Sequence, residues 1–330
     1  MRKIPAPLSE FDLIAQLFAP MAGEGALGLL DDAALLKPSP GTDLVLTKDA
    51  LVEGVHFFPD DPPASIARKA LRVNLSDLAA KGAVPKGFLL ALGRGARQDD
   101  AWLAAFAAGL AEDSRAYAVP LLGGDTVKTG QAFFSITALG EVAAGRMVMR
   151  QGGEVGDFLY VSGTIGDGAL GLRLRLDSSA DWVKRLQPEH RAYLDDRYLH
   201  PQPRVALAPA LLAHARGAMD ISDGLVGDGD KLAARLGRRF DVDAVPLSPA
   251  VRAAIALEPS LLDVALTGGD DYEILAAIPP ENAVAFEERA LRSGVPVTKI
   301  GALSPIDSGA EWRTRDGLIR DFVCRSYRHF

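Results

Sequence analysis

Behind Ser9 and Asp12, which read as a helix-capping pair, the apolar residues Phe11, Ile14, Leu17 and Phe18 share one helical face, and Pro20 with Gly23 stops the pattern. The stretch LLDDAALLKP then reads as a short strand closed by Pro38 and Pro40, and DLVLTKDALVEGVHFF as further strand material. Helical spacing predicts an α-helix over residues 65–81 and an alanine-rich one over 99–117, with VPKGFLLALG a strand between them and VPLLGG and QAFFSITALGEV strands after them. The glycines of MRQGGEVGDFLYVSG and a change of pattern put a boundary near residue 150. Beyond it the pattern predicts strands over 158–162, 218–221 and 272–278. Helices are predicted over 167–176, 203–216, 223–238 and 280–293, followed by a strand-rich tail. The summary is two α/β or α+β domains, residues 1–150 and 151–330.

Composition agrees with two domains, because 330 residues exceed what one ordinary core holds. A net charge of −7 without any basic run would repel a nucleic-acid backbone, so no nucleic-acid partner is expected. The only cysteine is Cys324, which excludes an intramolecular disulfide, a C-x-x-C redox pair and a thiolate zinc site, and fits a reducing, cytoplasmic home. No apolar run approaches ~18 residues, so neither export nor membrane insertion is expected.

Gly23, Gly25 and Gly28 spell G-x-G-x-x-G, with Asp49 downstream as a possible ribose contact. A dinucleotide site needs a strand before the first glycine and a helix after the last. Here a helix precedes, which argues against that reading and leaves Asp31 and Asp32 as the start of a metal site. Other acidic residues also stand in unusual places. Asp77 falls on the stripe Ile66, Ala70, Val73 of the 65–81 helix, with Asn74 one turn back. A buried carboxylate there must meet a cation, a basic partner or a wet cleft, unless the stripe is mis-phased and the helix lies at the surface. Asp125 follows a buried-looking strand and two glycines, either as a ligand at a strand's carboxyl end or as turn chemistry. Asp220 and Ser222 share one strand face, and Asp223 is a ligand or simply an N-cap. Asp270 and Asp271 follow another Gly-Gly, and Asp49 follows an apolar strand and precedes Glu53 and His56.

Taken together, oxygen-only candidates indicate magnesium, calcium or manganese rather than zinc. Two carboxylates ~4 Å apart repel by ~4 kcal/mol at an effective dielectric of 20, so converging ones require divalent ions. Magnesium is usually held by one or two carboxylates plus substrate phosphates, which predicts phosphorylated substrates, ATP among them.

The ordered set DDAALL, TKDALVEGVHF, ALRVNLSDLAAKGA, LLGGDT, ISDGL and TGGDDYEIL resembles the thiamine-monophosphate kinases of the aminoimidazole-ribonucleotide-synthetase-like superfamily, from Ser9 to the final YRHF. The resemblance implies a homodimer whose N-terminal mixed sheets pair into a barrel with helices outside. Residues 1–150 would form the ATP- and magnesium-binding and dimerisation domain, and 151–330 a C-terminal α/β domain. By matching position it implies several magnesium ions on Asp32, Thr47, Asp49, Asp77, Asp125, Asp220 and Asp223. ATP contacts would come from Tyr117, Gly124, Asp125, Arg150 and Ser222, and thiamine-monophosphate contacts from His56, Asp270 and Cys324. Differences from the family pattern are Leu30 for a glycine, Lys48 for a hydroxyl residue and Asp270 for glutamate. Cys324 stands in place of a stacking aromatic, with Phe322 and Tyr327 nearby.

The implied reaction is direct transfer of the ATP γ-phosphoryl group to a phosphate already largely ionised at pH 7, so no residue is assigned as general base. His56 is then a positioning donor, or a packing residue beside Phe57 and Phe58. The chain lacks G-x-x-x-x-G-K-[ST], H-E-x-x-H and G-x-S-x-G. Cys324 matches neither the N-terminal cysteine expected of selenophosphate synthetases nor the C-terminal one of hydrogenase-maturation members.

Overall fold

The structure is a computed structural model that describes residues 9–234, 236–306, 309–314 and 316–326. The chain divides into two compact units, Met1–Leu78 with Val84–Gly145, and Ala79–Ala83 with Arg146–Phe330. Both carry mixed sheets.

In the first unit α1 (Glu10–Leu13) leads through a glycine-rich segment to β1 (Thr42–Val52), α2 (Pro63–Ala80), β2 (Val84–Arg94), α3 (Asp100–Ala116), β3 (Leu121–Lys128) and β4 (Phe133–Ala143). The sheet order is β1-β4-β2-β3; β2 and β3 run parallel, and the other neighbours antiparallel. Alternation gives the sheet two unlike faces. Phe88, Leu90, Phe134, Ile136 and Ala138 are buried on one, where Phe134 stacks on Phe106 of α3 with ring centroids 4.4 Å apart. The opposite face leaves Leu44, Leu46, Leu89 and Val127 exposed.

The second unit contains β5 (Phe158–Ser162), α4 (Asp167–Leu176), α5 (Asp181–Arg185), α6 (Pro188–Leu199), α7 (Ala208–His214), β6 (Gly217–Ile221) and α8 (Leu225–Leu232). It continues with β7 (Gly237–Asp241), α9 (Pro249–Leu257), α10 (Leu261–Thr267), β8 (Glu273–Ile278), α11 (Ala283–Arg292), β9 (Val297–Ser304) and β10 (Ala310–Arg313). The sheet order is β10-β7-β9-β5-β8-β6. Apolar clusters cover both faces: Leu159, Val161, Met219 and Ile221 belong to one, and Tyr160, Ala218 and Ile274 to the other. Full burial explains the near-continuous apolar run of β8.

Several elements differ from expectation. The stretch LLDDAALLKP forms no strand: Leu30 is 93% and Leu35 67% exposed, and the Leu35 N–H bonds the Gly25 carbonyl at 2.8 Å instead of a strand. The first helix keeps its Ser9 cap but is α-helical only to Leu13, passing into a π-turn, Ile14–Phe18. Its Phe11 is exposed, because Leu13 and Phe18 supply the buried side. The predicted 223–238 helix stops at Leu232. Phe240, fully buried in β7, draws the following chain into the sheet, and tertiary pairing overrides helical propensity. The predicted 203–216 helix begins as a 3₁₀ turn, Val205–Leu207, and continues as α7.

Candidate functional site

Asp49 lies inside β1 rather than after it, and Asp125 inside β3 rather than at its carboxyl end. The two glycines before Asp125 therefore do not make a turn. At Gly124 a Cβ would lie 1.9 Å from the Leu90 carbonyl oxygen of β2, so only glycine permits this strand approach.

On the helix-covered side, Thr47 and Asp49 share a face of β1. The Thr47 hydroxyl donates to the Asp77 carboxylate, and the Asp49 N–H donates to Asn74 Oδ1 at 3.1 Å. The stripe on α2 is buried at Ile66, Ala70 and Val73 and only half-buried at Asp77, so the phasing holds and the carboxylate meets a hydroxyl. Fully buried Asn74 also donates to the Ala70 carbonyl at 3.0 Å. Lys48 points to the other face of β1 and does not join Thr47 and Asp49.

Asp125 belongs to a second group. The register runs Asp49–Ile136–Leu90–Gly124 across the sheet, and Ala50–Ser135–Ala91–Asp125 in the next row. Asp125 thus faces away from Asp49, and three strand spacings, about 14 Å, separate their edges. A cleft of about 580 Å³ gathers Asp31, Asp32, Gly123, Gly124, Asp125 and Thr126. Its wall is the Gly23–Leu36 segment, tied to β3 by the Gly23 N–H on the Leu121 carbonyl at 2.9 Å. That segment contains 3₁₀ turns with Leu27, Gly28 and Leu29 left-handed, in no dinucleotide-binding geometry. Tyr117 caps α3, 5.9 Å from Arg72, and does not line the cleft. His56 Nδ1 accepts the Val52 N–H at 3.1 Å, which fixes the neutral tautomer with its proton on Nε2.

In the second unit, Asp220 is 7% exposed in β6 and is followed by Ser222 and Asp223. The helix cap is Gly224, not Asp223. Buried Asp228 accepts the N–H groups of Ser222 at 3.0 Å and Asp223 at 2.9 Å, and Lys231 bridges Asp228 (2.9 Å) to Asp223. Burial pushes the Asp228 carboxyl up against Lys231. Lys231 feels burial in the opposite sense, yet Asp223 and Asp228 raise its pKa overall. The Ser222 carbonyl accepts the Asp270 N–H at 3.0 Å, which joins a proposed nucleotide contact to a proposed acceptor contact. Arg150 is exposed in a segment whose Met149 bridges to Gly217 at the start of β6.

Near the C-terminus Phe322 is 8% exposed, edge-on to Trp312 at 5.7 Å, and serves the core rather than a ligand. Cys324 is exposed, with its thiol 3.4 Å from the Ser326 carbonyl; Tyr327 lies outside the described residues.

Sequence reasoning missed Asp228, Lys231 and Glu273 and gave Asp271 no role. Glu273 is fully buried and accepts from Ser162 Oγ at 2.6 Å, Arg204 Nε at 2.6 Å and Arg197 at 3.1 Å. Its signal was an acidic residue opening an otherwise apolar strand. No three His, Cys, Asp or Glu among the described residues form a metal-holding group. The donors are nonetheless all oxygen, and magnesium bound through one or two carboxylates and substrate phosphates needs no protein cage. The residues fit that ion.

Residues 30–142 match the family model "AIR synthase related protein, N-terminal domain". Over 304 residues the chain is 45% identical to the thiamine-monophosphate kinase of Caulobacter vibrioides, covering 90% of this chain and 84% of that protein. The chain belongs to the thiamine-monophosphate kinase family. The Salmonella typhimurium member is 39% identical over 97% of this chain and 98% of its own length. Among solved structures, the family member from Stenotrophomonas maltophilia K279a superposes with a TM-score of 0.77 at 36% identity, covering 86% of this chain and 89% of that one. AaThiL complexed with AMPPCP and TMP gives 0.76 at 29% identity, covering 98% and 97%. The family's two-domain mixed α/β fold is therefore the fold of this chain. No helix among the described residues is long and apolar enough to cross a membrane.

Proposed function

We propose that this chain transfers the γ-phosphoryl group of ATP directly to thiamine monophosphate, giving thiamine diphosphate and ADP. The observation that carries the reading is 45% identity, over nine-tenths of the chain, to a thiamine-monophosphate kinase. The acidic, glycine-backed cleft of the first unit and the Ser222–Asp270 link of the second support it.

A phosphate oxygen of thiamine monophosphate attacks the γ-phosphorus in line. One P–O bond forms there while the bond to the β,γ-bridging oxygen breaks, and ADP leaves with that electron pair. The attacking monoester has a second pKa of ~6 and needs no general base. Backbone at Gly124, the Arg150 guanidinium, Ser222 and Tyr117 are proposed to hold ATP. His56, through its Nε2–H, with Asp270 and Cys324, is proposed to hold the acceptor. Asp32, Thr47, Asp49, Asp77, Asp125, Asp220 and Asp223 would hold magnesium, which when bound supplies charge neutralisation between two anions. Lys231 donates to the Asp223 carboxylate and aims it.

Pairing of the exposed sheet face with that of a second copy, into a barrel with helices outside, is part of the proposal, as is a cytoplasmic location. So is the assignment of nucleotide binding and dimerisation to residues 1–150. Incubation with ATP, magnesium and thiamine monophosphate should yield thiamine diphosphate by mass spectrometry. ATP left intact, or hydrolysed without transfer, refutes the reading.

A further inference from the structure

Residues 268–272 join α10 to β8, and two non-glycine residues in this loop are left-handed: Asp270 at φ 72° and Tyr272 at φ 52°. L side chains disfavour that region, so such backbone persists only where its surroundings over-determine it. Between the two, Asp271 is 1% exposed, and its carboxylate accepts the N–H groups of Gly166 at 2.7 Å and Gly168 at 2.9 Å. On its other side the loop is tied to the end of β6. The Asp270 N–H donates to the Ser222 carbonyl at 3.0 Å, and the Tyr272 N–H to the Ile221 carbonyl at 2.8 Å.

The packing leaves no slack. A Cβ at Gly168 would lie 2.1 Å from the Asp270 carbonyl oxygen, and one at Gly269 would lie 2.1 Å from that of Ser222. The turn carrying Ser222 has a separate anchor in Asp228, which accepts the Ser222 and Asp223 N–H groups. Two buried aspartates thus hold two adjoining turns, one each.

We propose that Asp271 is a positioning residue for the phosphoryl acceptor, fixing the left-handed turn that presents Asp270, while Asp228 fixes the turn on the nucleotide side. The inference rests on the roles given above to Asp270 and Ser222. Asparagine at 271 keeps the shape but sets an amide donor against a backbone N–H, which breaks one of the two bonds that pin the loop.

The test is steady-state kinetics with ATP, magnesium and thiamine monophosphate. Wild type that makes no thiamine diphosphate refutes the proposed function and this inference with it. Given wild-type turnover, Asp271→Asn is expected to raise KM for the acceptor at least tenfold and leave KM for ATP within about threefold. Asp228→Asn should do the reverse. Gly168→Ala displaces the Asp270 carbonyl without altering the Asp271 carboxylate, so it should reproduce the acceptor effect, and it carries the test if Asp271→Asn does not fold. Equal rises in both KM values, or an unchanged acceptor KM in a folded variant, overturn the inference alone.

Discussion

Asp49 and Asp125 belong to the proposed magnesium set and lie on opposite faces of the first sheet. Both are exposed, and the backbone N–H of Asp49 is bonded to Asn74. Asp49→Asn and Asp125→Asn should therefore melt within about 0.5 kcal/mol of wild type, as surface substitutions do. Loss of one charge-stabilising group should lower kcat by ~10²–10³-fold. Thermal melts beside thiamine diphosphate formation check both halves, and wild-type-like turnover removes the residue from the proposed metal set. Asn74→Ala should behave differently. The buried Asn74 side chain accepts from Asp49 and donates to Ala70, so its removal should cost ~1–3 kcal/mol of stability, read by urea unfolding, as well as activity. The sequence marked which carboxylates stand on or beside strands but not which way they face. Parity along β1 and β3 depends on where the strands begin, and Gly123–Gly124 reads as a turn until the close approach to Leu90 is known.

At the scale of elements, two of the contacts that hold the second unit's C-terminal segment lead to predictions. Trp312 of β10 is 1% exposed and stacks on Phe240 of β7 at 4.1 Å with a 10° interplanar angle. Trp312→Ala should cost ~3–5 kcal/mol in urea unfolding. Further along, Arg325 clasps Asp230 of α8 with bonds of 2.8 and 2.9 Å, and Arg238 joins them. Burial pushes the Asp230 carboxyl up, but the two guanidinium groups outweigh it and hold the pKa below the usual range. A depressed carboxylate pKa gives stability that is present above its unfolded value, ~3.9, and is lost as pH falls through the lower folded value. The clasp should hold from neutral pH down to about 4 and fail below it, followed through the near-ultraviolet circular dichroism of Trp312. At neutral pH, Asp230→Asn should speed tryptic cleavage at Arg320 and Arg325; cleavage at the wild-type rate would show that the clasp does not hold the segment. None of this was legible beforehand. The predicted helix ran through Gly237 and hid β7, while α5, α6, α9 and α10 gave no separate signal, because their short apolar faces make sense only against each other.

At the scale of the whole molecule, alternation and turn residues were enough to outline two mixed α/β halves, but not what covers the outer face of the first sheet. That face carries Leu46 at 62% exposure, with Val127 at 40%, Leu44 at 39% and Leu89 at 38%, on three of the four strands. Apolar side chains on one sheet face are usually buried by a second layer, and the opposite face already has its helices. A second copy of the same sheet, set face to face, would complete the proposed barrel and bring the cleft holding Asp32 and Asp125 close to the subunit contact, since Leu89 and Leu139 line that cleft as well. Wild type should then sediment at twice the chain mass of 34.9 kDa, and Leu46→Glu, which buries a charge against its symmetry mate, should sediment as a monomer. Dissociation should lower transfer activity in step with the dimer fraction as protein is diluted. A wild-type monomer at micromolar concentration, or a Leu46→Glu variant that remains dimeric, would place the contact elsewhere and leave the cleft to work within one chain.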